Sequence, residues 1–354
     1  MSSMSCRGCR GRNWPVGWAF AGTSALLGGT LLASATAEVR VAPDLRVEMV
    51  TTGIPRPLQL AFNASGGLVV LSHGWRGDAA AEIYYLELTG PLPVDAARVP
   101  RVVLPFAEES RKIAFGSLAI HPHTGDLFLG EENGNRIYRL TADKRLTPFA
   151  VGLQHLVGGS GLAFDRRGRL VVLDFASAEG RLRSEAPAPP SLDWLTTEDY
   201  HGPLVFQLDP GEDVPLPRRL DLVVPLFPRG WSKGVARSFP PRFVSVATST
   251  ADELLLLGSL GEVFRLTADG RLLLLARLPA GHYHRTHMAV APDGSVLVSS
   301  GFHIRDLLRV SPGGVVMAVA RGLGDPGGVA VDRAGAIYLA ETALHRIIRI
   351  GPSP

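Results

Sequence analysis

Four of the chain's ten histidines fall within one stretch, GHYHRTHMAVAPDGSVLVSSGFH, as His282, His284, His287 and His303. In an extended segment His282 and His284 project to the same side, which suits a borderline metal such as zinc, copper or iron. His284, Arg285 and His287 are the candidate catalytic residues, because an imidazole beside a guanidinium can act on a bound hydroxyl or anion. His73 is placed to join them across a channel if the fold brings its segment alongside. Two plainer readings stay open, with these histidines in solvated loops or filling a channel through hydrogen bonds. Other motifs are thin. Gly158-Gly159-Ser160-Gly161 resembles a phosphate cradle, but no helix follows to supply an N-terminus, so it reads as a turn with close backbone packing. Asn63-Ala64-Ser65 is an isolated glycosylation sequon, and no GxSxG, HExxH, Walker or dinucleotide fingerprint occurs.

The stretch that carries the histidines is one of six copies. Their first strands align on Leu60-Ala61-Phe62, Leu118-Ala119-Ile120, Leu162-Ala163-Phe164, Val244-Ser245-Val246, Met288-Ala289-Val290 and Val329-Ala330-Val331. Five copies continue through a polar turn ending in Gly (Gly67, Gly125, Gly168, Gly294, Gly335) into a second apolar strand; the fourth uses Ala251-Asp252-Glu253. Third strands follow (IYYLEL, RIYRL, PLVFQL, EVFRL, DLLRV, RIIRI), then fourth strands in all copies but the last. Each meander is too small to bury both faces alone and needs copies on either side. The missing sixth fourth strand is matched by Leu45 to Gly53, so the ring closes on its own two ends. The predicted fold is all-β, a six-bladed β-propeller closed by its N-terminal strand, because radial repetition leaves only short, protected edges. The apolar runs are too short and too rich in Val, Leu and Ile for helices. Two insertions interrupt the pattern. Gly90 to Asp95 reads as a rim excursion, and residues 177–202, with Gly230 to Pro241, bring Trp194, Tyr200, His201 and Trp231 to a loop that is either rim decoration or a lid.

In such a ring the residues before each first strand and after each second strand meet at one mouth of the channel. The positions after the second strands are Ser72, Glu131, Asp174, Gly258, Ser300 and Glu341. Glu131, Asp174, Ser300 and Glu341, with His73, are therefore the ligand-binding candidates; the acids either cap the following turn or face a cation or polyol.

The last copy, GGVAVDRAGAIYLAETALHRIIRI, resembles an NHL repeat, and the chain from about residue 45 to 351 is similar to NHL and SMP-30/gluconolactonase-like propellers. The resemblance implies the same fold and a mouth that can host a lactonase, a lyase, a sugar dehydrogenase or a binding surface. In SMP-30-like lactonases it further implies a divalent metal held by Asn and acidic side chains. The matching positions here are Leu58, Gly116, Ser160, Arg242, Thr286 and Gly327, none a carboxylate or Asn, which argues against a lactonase of the usual kind. The cofactor stays open, a divalent metal ranking ahead of PQQ. The function expected is an exported propeller that binds a small ligand, glycan or partner at its mouth. The alternatives are a PQQ-dependent sugar dehydrogenase-like oxidoreductase, for which His284, Arg285 or His287 and Asp293-Gly294 are the matches, and a divergent metal-dependent lactonase, hydrolase or lyase.

At the start of the chain, Arg7, Arg10 and Arg12 precede the apolar run Trp14 to Ala33, and Ala35-Thr36-Ala37 fits a signal-peptidase site. Residues 1–37 read as a signal peptide and 38–354 as the propeller, exported to a bacterial periplasm or the medium. Cys6 and Cys9 leave with the signal, so the mature part needs neither disulfide nor reducing compartment. Of 36 Lys+Arg against 33 Asp+Glu, three Arg leave too, giving 33 of each. A neutral domain with only three Lys and no basic cluster gives no footprint for nucleic acid, and no stable membrane association is expected after cleavage. A monomer is expected, with a small molecule or a protein as partner at the mouth.

Overall fold

A computed structural model describes residues 39–73, 80–105, 107–108, 111–132, 136–151, 153, 159–176, 202–211, 221–222, 242–267, 271–281, 283, 285–300 and 304–352. The 177–202 insertion except Gly202, with Trp194, Tyr200 and His201, and the 230–241 segment with Trp231 lie outside the described residues, as do residues 1–38 and His282, His284 and His303.

The six meanders form six antiparallel blades whose first strands are Pro57–Phe62, Phe115–Ile120, Leu162–Phe164, Phe243–Thr248, Thr286–Val290 and Pro326–Val331. Each pairs with the second strand of its own copy, and third and fourth strands follow outward. The chain is all-β with almost no helix, a six-bladed propeller. One apolar cluster lies at each of the six blade interfaces. That is why the inner strands read as short continuous apolar runs: each sheet buries both faces, one against each neighbour.

Closure is as the sequence implies. Leu45–Thr52 pairs antiparallel with Arg346–Pro352, from Leu45 opposite Pro352 to Thr52 opposite Arg346, and completes blade six. Its Val50 is fully buried with Tyr338 and Ile347 of blade six and Leu60 of blade one. Two further strands straddle the seam. Arg40–Val41 adds a fifth strand to blade five, opposite Arg321 and Ala320. The Gly90–Asp95 excursion does more than decorate the rim. Val94–Asp95 lies parallel to Thr51–Thr52, and Thr51 Oγ1 donates to Val94 O at 2.7 Å. The N-terminal segment thus touches blades five, six and one.

One alignment is corrected. Thr248 pairs with Leu254 just as Phe62 pairs with Leu68, so the core triplet of blade four is Val246-Ala247-Thr248 and not Val244-Ser245-Val246. A slip of two residues keeps every side chain on the same face, so alternation in the sequence cannot detect it.

Candidate functional site

At the end of the ring where first strands begin and second strands end, a cavity of about 450 Å³ opens between blades one, two, five and six. The charged groups on its wall are Arg56, His73, Glu132, Arg285, Arg305 and Asp325. Arg56, Arg285 and Asp325 each stand directly before a first strand, and each has a left-handed backbone, with φ of 39°, 50° and 58°. Non-glycine residues adopt this conformation at a cost of about 1–3 kcal/mol, and such residues concentrate at functional sites. For Arg56 and Asp325 it also opposes the extended preference of a residue preceding proline. Neighbouring chain holds it in place: His73 N and Thr342 N donate to the carbonyls of Arg56 and Asp325, and Arg56 N donates to His345 Nδ1 at 2.9 Å.

Glu132 bridges three blades. One carboxylate oxygen lies 3.0 Å from His73 Nε2 of blade one and the other 3.0 Å from an Arg285 guanidinium nitrogen of blade five. Burial alone would raise this carboxyl, but His73 and Arg285 outweigh it and bring it down to about 2. Glu132 can fold over the first strand of its blade because residue 116 is glycine; a Cβ there would come within 2.7 Å of the Glu132 Cβ. Asp325 has the opposite environment. Burial raises its carboxyl above the usual range, against the pull of Arg285, Arg56 and Arg305.

Below the charged ring the channel is closed by the first strands themselves. Gly328 lets blades six and one touch, since a Cβ there would lie 2.6 Å from Gln59 Cα. His287 forms the floor, 1% exposed. Its Nδ1–H donates to Gln59 Oε1, and Gln59 Nε2 donates to Ser160 Oγ at 3.2 Å. Its Nε2 has no hydrogen-bond partner among the described residues. Burial pushes this imidazole down to about 3, with only partial relief from Glu132, so it is uncharged at neutral pH.

The predicted residues separate into three groups. His73, Arg285 and His287 come together at the cavity. His282, His284 and His303 lie outside the described residues, so their convergence as a metal set stays an expectation. Ser72, Glu131, Asp174, Ser300 and Glu341 lie in second strands, four of them as the last strand residue. Of these, Ser72, Glu131, Asp174 and Glu341 are buried, and none of these four is among the described cavity-lining residues. Glu341 caps the approach to its own blade, accepting from Gly324 N at 2.7 Å and from Arg346 Nε at 2.5 Å. In blades one, two and six the wall is reached one residue later, at His73, Glu132 and Thr342, because successive strand residues face opposite sides. The sequence reading passed over Arg56, Glu132, Arg305 and Asp325. The pairs Arg56-Pro57 and Asp325-Pro326, a charge directly before the proline that opens a first strand, are the signal that could have found two of them.

The site can be set beside known proteins at this point. No protein-family model matches the chain, and no curated relative matches it by sequence. Among solved structures, a gluconolactonase from Xanthomonas campestris superposes with a TM-score of 0.57 at 17% identity, over 91% of this chain and 93% of that one. A catalytically inactive virginiamycin B lyase from Staphylococcus aureus, crystallised with quinupristin, gives 0.54 at 12% identity, over 89% and 100%. A putative glucose dehydrogenase from Thermus thermophilus gives 0.53 at 18% identity, over 87% and 100%. At these identities the likeness establishes the propeller fold alone.

The divalent metal that the resemblance implies does not fit the described wall. Both Glu132 oxygens are already engaged, one by His73 and one by Arg285, Asp325 sits among three guanidiniums, and among the described residues no three His, Cys, Asp or Glu side chains are grouped to hold a metal ion.

Proposed function

We propose that the chain is an exported propeller that binds a small polar molecule at this mouth. The observation that carries the reading is the cavity itself: about 450 Å³, within the range of small-molecule sites, with charged side chains contributed by four blades. Backbone strain at three of those residues supports it, since left-handed non-glycine residues concentrate at functional sites. The Arg-flanked apolar run before Ala37 supports export.

The test is a thermal-shift and activity screen of the full chain against small polar metabolites, repeated with Leu58→Trp, which fills the mouth. Stabilisation or turnover that disappears in the variant is expected. Ligands bound equally well by Leu58→Trp would place the site elsewhere.

A second reading, a quinone-dependent sugar dehydrogenase, draws on the same guanidiniums, because PQQ is itself a tricarboxylate. When bound it would supply the oxidising group, with Arg56, Arg285 and Arg305 as the residues suited to hold its carboxylates. Reconstitution with the quinone and a dye acceptor that gave no spectral change and no sugar oxidation would remove this reading.

A further inference from the structure

We infer that the molecule taken up at the mouth carries an oxyanion, a carboxylate or a phosphate, bridged between Arg56 of blade one and Arg305 at the edge of blade five. The inference rests on the mouth being a small-molecule site and adds the charge of what enters.

Three guanidiniums line one cavity, and they are not equivalent. Arg285 is held by Glu132 at 3.0 Å. Arg56 and Arg305 make no ion pair with any described residue. Asp325 stands at the same mouth but outside ion-pair range of all three, too far to neutralise either cation by contact.

Two cations with no described ion-pair partner on one cavity wall repel each other. An oxyanion between them converts that repulsion into charge-assisted hydrogen bonds, and each guanidinium offers up to five N–H donors in a planar fork matched to carboxylate and phosphate. The fold fixes the backbone from which each guanidinium reaches the mouth. Arg56 is fixed by its left-handed backbone and by the bond from its N–H to His345 Nδ1. Arg305 is tied through its carbonyl to Leu323 N at 3.0 Å, on the segment that leads into Asp325. His287 contributes no charge from below, because burial keeps its ring neutral. The mouth is thus complementary to an anion, the reverse of the metal-centred site implied by the resemblance.

The experiment is calorimetric titration of the full chain with matched pairs: gluconate against sorbitol, and glucose 6-phosphate against glucose, with acetate and inorganic phosphate alone to separate the two oxyanions. The charged member is expected to bind at least about tenfold more tightly. Arg305→Gln should lose about tenfold of that preference with an unchanged melting temperature, since Arg305 is exposed, and Arg56→Gln should repeat the loss from the opposite wall. Equal affinity within each pair removes the oxyanion but leaves the small-molecule site standing. A charge preference that survives both Arg variants overturns the inference in the same way, and one that survives Leu58→Trp overturns both readings. Failure of every charged probe to bind also overturns it.

Discussion

The two ends of the ring are made from the same six strand pairs and use their polar groups differently. At the turn end, caps recur within the hairpins, with one reaching across blades from Arg166 N to Asp252 Oδ1 at 2.8 Å. Asn63 Oδ1 accepts from Gly67 N, Asp165 Oδ1 from Arg167 N and Arg169 N, Ser249 Oγ from Ala251 N and Glu253 N, and Asp332 Oδ1 from Ala334 N and Ala336 N, all at 2.8–3.2 Å. Even His121 serves as a cap, its Nδ1 accepting from His123 N and Thr124 N. A shallow depression of about 530 Å³ opens there as well, but the carboxylate of Asp165 on its wall is occupied by Arg169 and by backbone. At the mouth, equivalent positions differ from blade to blade, their charges reach across blades, and Arg56 and Arg305 make no ion pair with any described residue. Repetition of one hydrogen-bonding solution marks the end that holds the fold, and departure from it marks the end with spare chemistry.

The largest effect separates the two ends by their dependence on the seam. Most of the turn caps are local to one hairpin, whereas Arg56, Arg305 and Asp325 lie in blades one, five and six, which the N-terminal segment ties together. Deleting residues 38–53 exposes the edge of Arg346–Pro352 and the apolar cluster around Val50. Aggregation or a large drop in melting temperature is expected. A truncated chain that melts like the intact one would show that closure does not depend on this strand.

Next in size is Glu132→Gln. It leaves Arg285 and His73 without their carboxylate, a cost of about 2 kcal/mol at neutral pH, moderated because Arg285 can turn to water. The sign with pH follows from the depressed carboxyl. Its stabilisation, on the order of 3 kcal/mol, is complete above the ordinary Glu value and is lost as pH falls from about 4.5 to about 2. His287 acts in the same direction in a higher window: the unfolded chain takes up the proton that the buried ring refuses, so stability also falls as pH drops from 6.5 toward about 3. Acid melts of the wild type and Glu132→Gln should differ most at neutral pH and converge near pH 2. Parallel curves would mean that the carboxylate is not held as described.

Smaller still is a cut at the turn end. Asp332→Ala removes two caps at 2.9 Å and should cost about 1 kcal/mol in denaturant melts while leaving oxyanion affinity untouched. Loss of affinity in this variant would dissolve the distinction between the two ends.

This division explains how far the sequence could be read. The turn end repeats, so blade number, strand order and the closing role of Leu45–Thr52 were legible from short apolar runs and Gly-containing turns. The mouth was legible only to within one residue. Four of the six strand pairs carry a bulge or irregularity near the mouth, between Pro57 and Gln59, Phe115 and Ser117, Phe243 and Ser245, and Pro326 and Val329, while blade five has none. A bulge inserts a residue without disturbing the apolar pattern beyond it. The extra residues lie in the first strands and blur the count to Arg56 and Asp325; on the second strands counting stopped at the last strand residues, Glu131 and Glu341, whereas the wall is reached one residue later, at Glu132 and Thr342, on the opposite side. Arg305 gave no signal at all, because it reaches the mouth from a connection between strands where no periodicity applies.

The smallest effect concerns Asp325, the one mouth carboxylate that Glu132's arrangement does not resemble. It faces Arg56 from blade one, Arg285 and Arg305 from blade five, and shares the cavity with Glu132 and His73. Ionised, it competes with an incoming anion for Arg56 and Arg305; removing its charge with Asp325→Asn should tighten sulfate binding a few-fold at neutral pH, since unit charges a few ångströms apart near a protein surface interact by about 1–4 kcal/mol before salt screening. Its pKa is raised, so ionisation is less favourable in the folded chain than in the unfolded one. That destabilisation is present at neutral pH and absent below the ordinary Asp value, and the Asn variant should therefore melt slightly higher at pH 7 and lose the advantage in acid. Sulfate is the suitable probe because it does not titrate over this range. Wild-type affinity should rise as pH falls toward the raised Asp325 value while the variant lacks that rise. If both rose together, the gain would come from another group at the mouth, and the cavity's charge would have to be assigned to His73 and Glu132 instead of to the pair of guanidiniums that Asp325 faces.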